Sequence, residues 1–139
     1  KNVGLWQGRE PSIAGAPAAL RKIAKGPLYP REQVETVLTK GATAVVLWTE
    51  DCNSDVVIKL GWETADVVEL VKHALANGRF TGSEWCDQRP WGPVAACDAY
   101  SVKNIEWNVA AKKNLTVEYY VKFAISKTGT HLLVTSCHV

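Results

Sequence analysis

The chain has 139 residues, of which 47% are hydrophobic and 22% charged, with a formal net charge of +2. A chain of this size and composition builds one domain with its own core and is not disordered. So small a charge excess argues against a dedicated nucleic-acid binder, and no apolar run approaches the ~20 residues needed to span a membrane.

Residues 1–15 lack periodicity and hold Gly4, Gly8, Pro11 and Gly15, so they read as an extended lead-in pinned by Leu5 and Trp6. Pro17 to Lys25 reads as a short helix, with proline at its first position and Leu20, Ile23 and Ala24 on one face. A second helix is expected over Pro30–Lys40, with Val34, Val37 and Leu38 as its buried stripe and Gly41 as its stop. Ala44–Trp48 is apolar on both faces and reads as an interior strand. Thr49–Asp55 reads as a polar turn, and Val56–Leu60 as a further strand or a helix lead-in. The clearest helix spans Glu63–Asn77, where Val67, Leu70, Val71, Ala74 and Leu75 repeat at helical spacing.

The C-terminal half changes period. Leu115, Val117, Tyr119, Val121, Phe123 and Ile125 alternate with mostly polar residues, marking a strand with one covered face. Tyr100–Val109 precedes it, with Ile105, Trp107 and Val109 on one face, and His131–His138 follows it. Turns at 110–114 and 126–130 make these three strands an antiparallel meander. Val94–Cys97 either extends the first strand or adds a fourth. Helices followed by a meander define an α+β fold, two short N-terminal helices and one longer helix packed on the sheet, in a single domain 1–139.

Between the long helix and the meander lies the most unusual segment, Glu84 to Cys97. It carries Trp85, Arg89, Pro90, Trp91, Gly92 and Pro93 between Cys86 and Cys97. Proline and glycine pre-shape such a loop, and exposed tryptophan and arginine are favoured anchors of interfaces. The rings either form a contact surface or fold inward to cap the sheet. Trp48, Trp62 and Trp107 fall in or beside apolar segments and read as core.

The four cysteines, Cys52, Cys86, Cys97 and Cys137, lack the close spacing of a zinc site. The chain contains no methionine and begins at Lys1, which reads either as a mature form whose signal peptide has been removed or as a trimmed piece of a longer chain. An even, dispersed cysteine set then suggests two disulfides in a secreted or periplasmic protein, the alternative being four buried free thiols in a cytosolic one. The preferred pairing is Cys86–Cys97 with Cys52–Cys137, each bond stabilising the chain by about 3–4 kcal/mol on the loop-entropy estimate.

No coherent catalytic set stands out. His73 sits near the C-terminal end of the long helix, where the helix dipole favours a cation. His131 and His138 fall on opposite faces of the last strand; with Lys103 or Lys122, His131 could serve a small secreted hydrolase such as a ribonuclease. Glu50, Asp51 and Asp55 cluster without calcium-loop spacing. Glu106 and Glu118 are expected to face each other across the first hairpin, the arrangement a glycosidase would need. Asn114-Leu115-Thr116 matches a glycosylation sequon. No cofactor or metal is implied.

The leading expectation is a non-enzymatic secreted or periplasmic binding protein, such as an inhibitor, immunity protein or effector module. Its contact surface centres on Trp85, Arg89 and Trp91, with Glu50 and Asp51 as a second edge, and a protein partner is favoured over a glycan. The alternatives are the histidine-dependent hydrolase, using His131, His138 or His73, and a subunit of an extracellular assembly.

Overall fold

The computed structural model describes residues 1–10 and 17–139. Pro11 and Gly15 of the lead-in, and the residues between them, lie outside the described residues. The chain is α+β. Helices α1 (Ala18–Arg21), α2 (Arg31–Leu38), α3 (Glu50–Asn53) and α4 (Thr64–Asn77) accompany six strands, β1 (Lys22–Ile23), β2 (Val45–Leu47), β3 (Arg79–Asp87), β4 (Val94–Asn108), β5 (Lys113–Ile125) and β6 (Leu132–His138). The strands form one sheet in the order β1-β3-β4-β5-β6-β2. Every pairing is antiparallel except that of β2 with β6.

Helix α4 forms where its pattern predicts. The Glu63 side chain accepts from the backbone of the first turn, and Asp66 accepts the Glu63 N–H at 2.9 Å, so two orphan donors are satisfied reciprocally. Its buried stripe is Val67, Val68, Leu70, Val71 and Ala74. Helix α2 likewise buries Val34, Val37 and Leu38. Both contribute to one core with Val102, Tyr119, Val121, Phe123, Ile125, Leu132 and Val134 of the sheet, where Tyr100 and Phe123 stack with centroids 5.9 Å apart.

Several elements differ from the sequence reading. The first helix keeps only four residues, and Lys22 and Ile23 instead pair with Glu84 and Ser83 as an edge strand. Leu20 is exposed, so the expected shared apolar face does not form. The reason lies at Gly26, where any Cβ would collide with Ser83 Oγ and the Phe80 ring. Only glycine lets the chain lie so close to β3. Ala44–Trp48 holds an edge strand, not an interior one, with Val46 part-exposed at the sheet's border. Its apolarity is used by the α4 packing and by Trp48, which is buried. Thr49–Asp55 is no simple turn. Thr49 Oγ1 accepts from Cys52 N at 3.1 Å and starts α3, which runs on through a π-helical stretch Ser54–Lys59 where a strand was one option.

The meander has four strands. Val94–Cys97 opens β4, and the hairpin partner β3 takes in Trp85 and Cys86, which the composition of their segment had made to look like loop. A β-bulge between Lys122 and Phe123 leaves Thr135 of β6 outside the regular register. At the far end, β4 and β5 continue as a hairpin whose Ile105 and Trp107 are 72% and 62% exposed, so Trp107 is not core. Glu106 and Glu118 do not face each other. Glu106 is opposite Leu115 and Glu118 opposite Lys103, and these pairs occupy opposite faces of the ribbon.

The lead-in is tied across the end of the sheet. Val3 N donates to Val94 O at 2.9 Å, Leu5 N to Ile125 O at 2.7 Å, and Lys127 N to Val3 O at 2.8 Å. A second tie holds residues 28–29. The carboxylate of Asp98, fully buried in β4, accepts Leu28 N at 2.9 Å, Tyr29 N at 3.0 Å and Ser83 Oγ at 2.6 Å. Burial raises the Asp98 pKa, and these donors counter part of that rise.

Candidate functional site: a groove between the β3–β4 turn and helix α3

The β3–β4 connection is a tight, internally bonded turn. Gln88 N donates to Pro93 O and Gly92 N to Arg89 O, both at 2.9 Å. A Cβ at Gly92 would press on the side chain and backbone of Arg89, so this close return of the chain requires glycine. Trp91 sits at φ 63°, a left-handed conformation that costs a bulky residue about 1–2 kcal/mol. Lys1 Nζ donates to its carbonyl at 2.7 Å and helps hold it there. The Trp91 side chain is 76% exposed. A large ring is thus displayed on a strained, fastened turn.

Trp85, three positions before the turn in β3, behaves oppositely. It is only 4% exposed and packs on Trp6 with ring centroids 5.8 Å apart. The two tryptophans of the segment therefore divide the two readings between them, one ring sealing the body and one facing solvent.

Facing the turn is the start of α3. Together they bound an open groove of about 780 Å³, lined by Trp48, Thr49, Glu50 and Asp51 on one side and by residues 84–91, including Arg89 and Trp91, on the other. Glu50, Asp51, Trp85, Arg89 and Trp91, separated by some 35 positions along the chain, thus come to one concavity. Arg21 also lines it, paired with Asp87 at 3.2 Å.

The floor is polar and was not legible as a site in the sequence. Register puts Glu84, Cys86, Cys97, Lys122 and Ser136 on one side of the sheet, because opposed residues of antiparallel strands share a face. Lys122 Nζ meets Glu84 Oε1 at 2.8 Å in a part-buried pair. Burial works against the Lys122 ammonium, but the Cys86 sulfur and the Glu84 carboxylate outweigh it and hold its pKa above the ordinary value. The sulfurs of Cys86 and Cys97 lie 3.7 Å apart as thiols. Cys86 lines the groove, whereas Cys97 is fully buried and accepts from Thr135 Oγ1 at 3.7 Å. A hydrogen bond from Cys97, helped by Lys122, lowers the Cys86 pKa despite burial; burial raises that of Cys97.

Cys52 of α3 and Cys137 of β6 are fully buried on elements that pack together, and each is pushed up to about 12 chiefly by burial. All four cysteines are free thiols here, and the expected pairs are neighbours without being bonded.

The histidines do not line the groove. His73 Nε2 donates to Lys103 O at 3.1 Å, tying α4 to β4, while its Nδ1 accepts from Asn77 of the same helix at 3.0 Å, so both nitrogens are used. Exposed His131 bonds Thr130 Oγ1 at 2.9 Å, and His138 packs on Tyr120 with centroids 5.4 Å apart. Glu106 accepts from Tyr119 Oη at 2.6 Å. Among the described residues no group of three or more His, Cys, Asp or Glu could hold a metal ion. No helix among them is long and apolar enough to cross a membrane.

The α+β class with a largely antiparallel six-stranded sheet is what the chain can be said to be. No family model matches it, and neither curated proteins nor solved structures give a significant match.

Proposed function

We propose that the protein is a non-enzymatic binding module of a secreted or periplasmic kind, an inhibitor, immunity protein or effector, that grips a protein segment in the groove between the β3–β4 turn and α3. The observation that carries this is Trp91, an exposed indole held at a left-handed backbone position on a turn fastened by Gln88, Gly92 and Lys1. Such a ring offers a large apolar surface whose ordering cost is met before any partner arrives. The rims carry opposite charge, Arg89 beside the ring and Glu50 with Asp51 across from it. That pattern suits a peptide strand bearing both signs better than an uncharged glycan.

The same reading takes Cys86–Cys97 and Cys52–Cys137 as the disulfides of the mature protein in an oxidising compartment. Their neighbouring positions support it. Counting thiols in the untreated, denatured protein checks it: no free thiol is expected, two would remove one of the pairs, and four would refute both.

The binding test is a selection of random peptides against the immobilised full chain, with Trp91→Ala and Arg89→Ala as counter-targets. Sequences that bind the unaltered protein and lose at least about tenfold affinity on both variants are expected. Peptides that bind all three equally, or none at all, would refute the groove as a peptide site.

A further inference from the structure

We propose that Cys86 and Cys97 form a thiol–disulfide exchange site on the floor of the groove, acting on a small-molecule disulfide with Cys86 as the attacking sulfur and Cys97 as the resolving one. The inference builds on the thiol pairing above and does not require a peptide in the groove.

The two sulfurs differ in access. Cys86, itself only 7% exposed, borders the open concavity, and its neighbour 3.7 Å away is fully buried. The Lys122 ammonium stands beside the outer sulfur, held by Glu84 at 2.8 Å, and favours its thiolate. Thr135 Oγ1 reaches the inner sulfur at 3.7 Å. A concavity of about 780 Å³ admits a molecule the size of a tripeptide disulfide. Cys52 and Cys137 have neither an opening nor a cation beside them among the described residues, so they serve as internal controls.

In the first step the Cys86 thiolate attacks one sulfur of RS–SR. A Cys86–SR bond forms, the RS–SR bond breaks, and RS⁻ leaves to take a proton from water. In the second step Cys97 gives its proton to water and its sulfur attacks the Cys86 sulfur. The Cys86–Cys97 bond forms and a second RS⁻ leaves. The two protein thiols lose two electrons, and the disulfide gains them as two RSH.

The test uses the full chain, reduced and freed of reductant, with oxidised glutathione as the probe and peptide mapping by mass spectrometry as the readout. The Cys97→Ser variant should trap one glutathionyl group on Cys86, at least about tenfold faster than any adduct forms on Cys52 or Cys137. Unaltered protein should pass on to the Cys86–Cys97 bond. Lys122→Gln should slow the first step roughly 3–10-fold. Should Cys97→Ser fail to fold, iodoacetamide labelling of the unaltered reduced protein replaces it, and Cys86 must then label first. Adduct or label appearing on Cys52 or Cys137 as fast as on Cys86 would overturn the proposal. Failure of the pairing itself is separate, because that is read from the thiol count of untreated protein.

Discussion

Trp85→Ala and Trp91→Ala should separate stability from recognition, although the two residues are six positions apart. Trp85 is 4% exposed and rests on Trp6, so its removal leaves a cavity at the sheet end that the lead-in cannot refill. Truncating a buried tryptophan costs about 3–5 kcal/mol. At this chain length each kcal/mol lowers Tm by about 4 °C, so a fall of roughly 10–20 °C is expected. Trp91 is 76% exposed, and its truncation removes almost no buried surface. Alanine inherits the same left-handed backbone, so Tm should stay within about 3 °C, and Trp91→Gly, which relieves the strain, should be no worse. On binding, three-quarters of a ~250 Å² side chain at ~25 cal/mol per Å² sets an upper bound near 5 kcal/mol, of which about 2–3 should survive ordering costs. The assays are thermal unfolding by circular dichroism and titration with a selected peptide. Equal Tm losses for the two variants, or an unchanged Tm for Trp85→Ala, would refute the division of roles.

Asp98→Ala strands the donors of Leu28, Tyr29 and Ser83 in the interior and should cost about 3 kcal/mol by denaturant titration. A loss under 1 kcal/mol would mean that residues 26–29 are held by other contacts. Because burial raises the Asp98 pKa above its unfolded value, its ionisation opposes folding: its contribution is full below the ordinary carboxylate range and is lost as pH rises through the folded pKa. Asp98→Asn should flatten that part of the stability–pH curve, and an unchanged slope would remove Asp98 as its source. Replacing both Glu63 and Asp66 by alanine should cost about 1–2 kcal/mol through the lost capping box, with no change in peptide binding. Trp107→Ser, at an exposed hairpin position, should shift Tm by no more than about 2 °C; a large loss would show that the ring is covered in solution.

What the sequence disclosed follows from how local each signal is. Helix α4 and strand β5 carry their own periodicity and caps, so their bounds could be read to within a residue or two. The N-terminal third could not. Its strands β1 and β2 are only two and three residues long, and each is defined by pairing with a partner some 60 to 90 positions away, β1 with β3 and β2 with β6. Ile105 and Trp107 mislead for a related reason: alternation identifies a face, but only packing decides whether anything covers it. The rims of the groove were visible as unusual composition. Its floor was not, since Glu84, Cys86, Cys97 and Lys122 meet only through the registers of β3, β4 and β5. Asp98, a lone carboxylate in the apolar run Val94–Tyr100, signals a different feature on the opposite face, the donors of Leu28, Tyr29 and Ser83 that it ties down.

The groove's position follows from the places where the sheet departs from regularity. The bulge at Lys122/Phe123 sets Thr135 out of register, beside Cys97, and Thr135 O accepts from Thr49 Oγ1 at 3.0 Å. Thr49 is also the cap of α3, so the bulge fixes where Glu50 and Asp51 emerge. On the other side, the turn that presents Trp91 is held by Lys1, whose own backbone oxygen accepts Val94 N at 3.1 Å. Each rim is therefore anchored to the sheet by a contact distant in sequence, and the floor between them holds the part-buried Lys122–Glu84 pair beside Cys86, with Cys97 beneath. A part-buried ion pair of this kind adds little net stability, because desolvation offsets most of its attraction. The same pair stands beside Cys86, and its effect on the reactivity of that sulfur is what the exchange experiment measures.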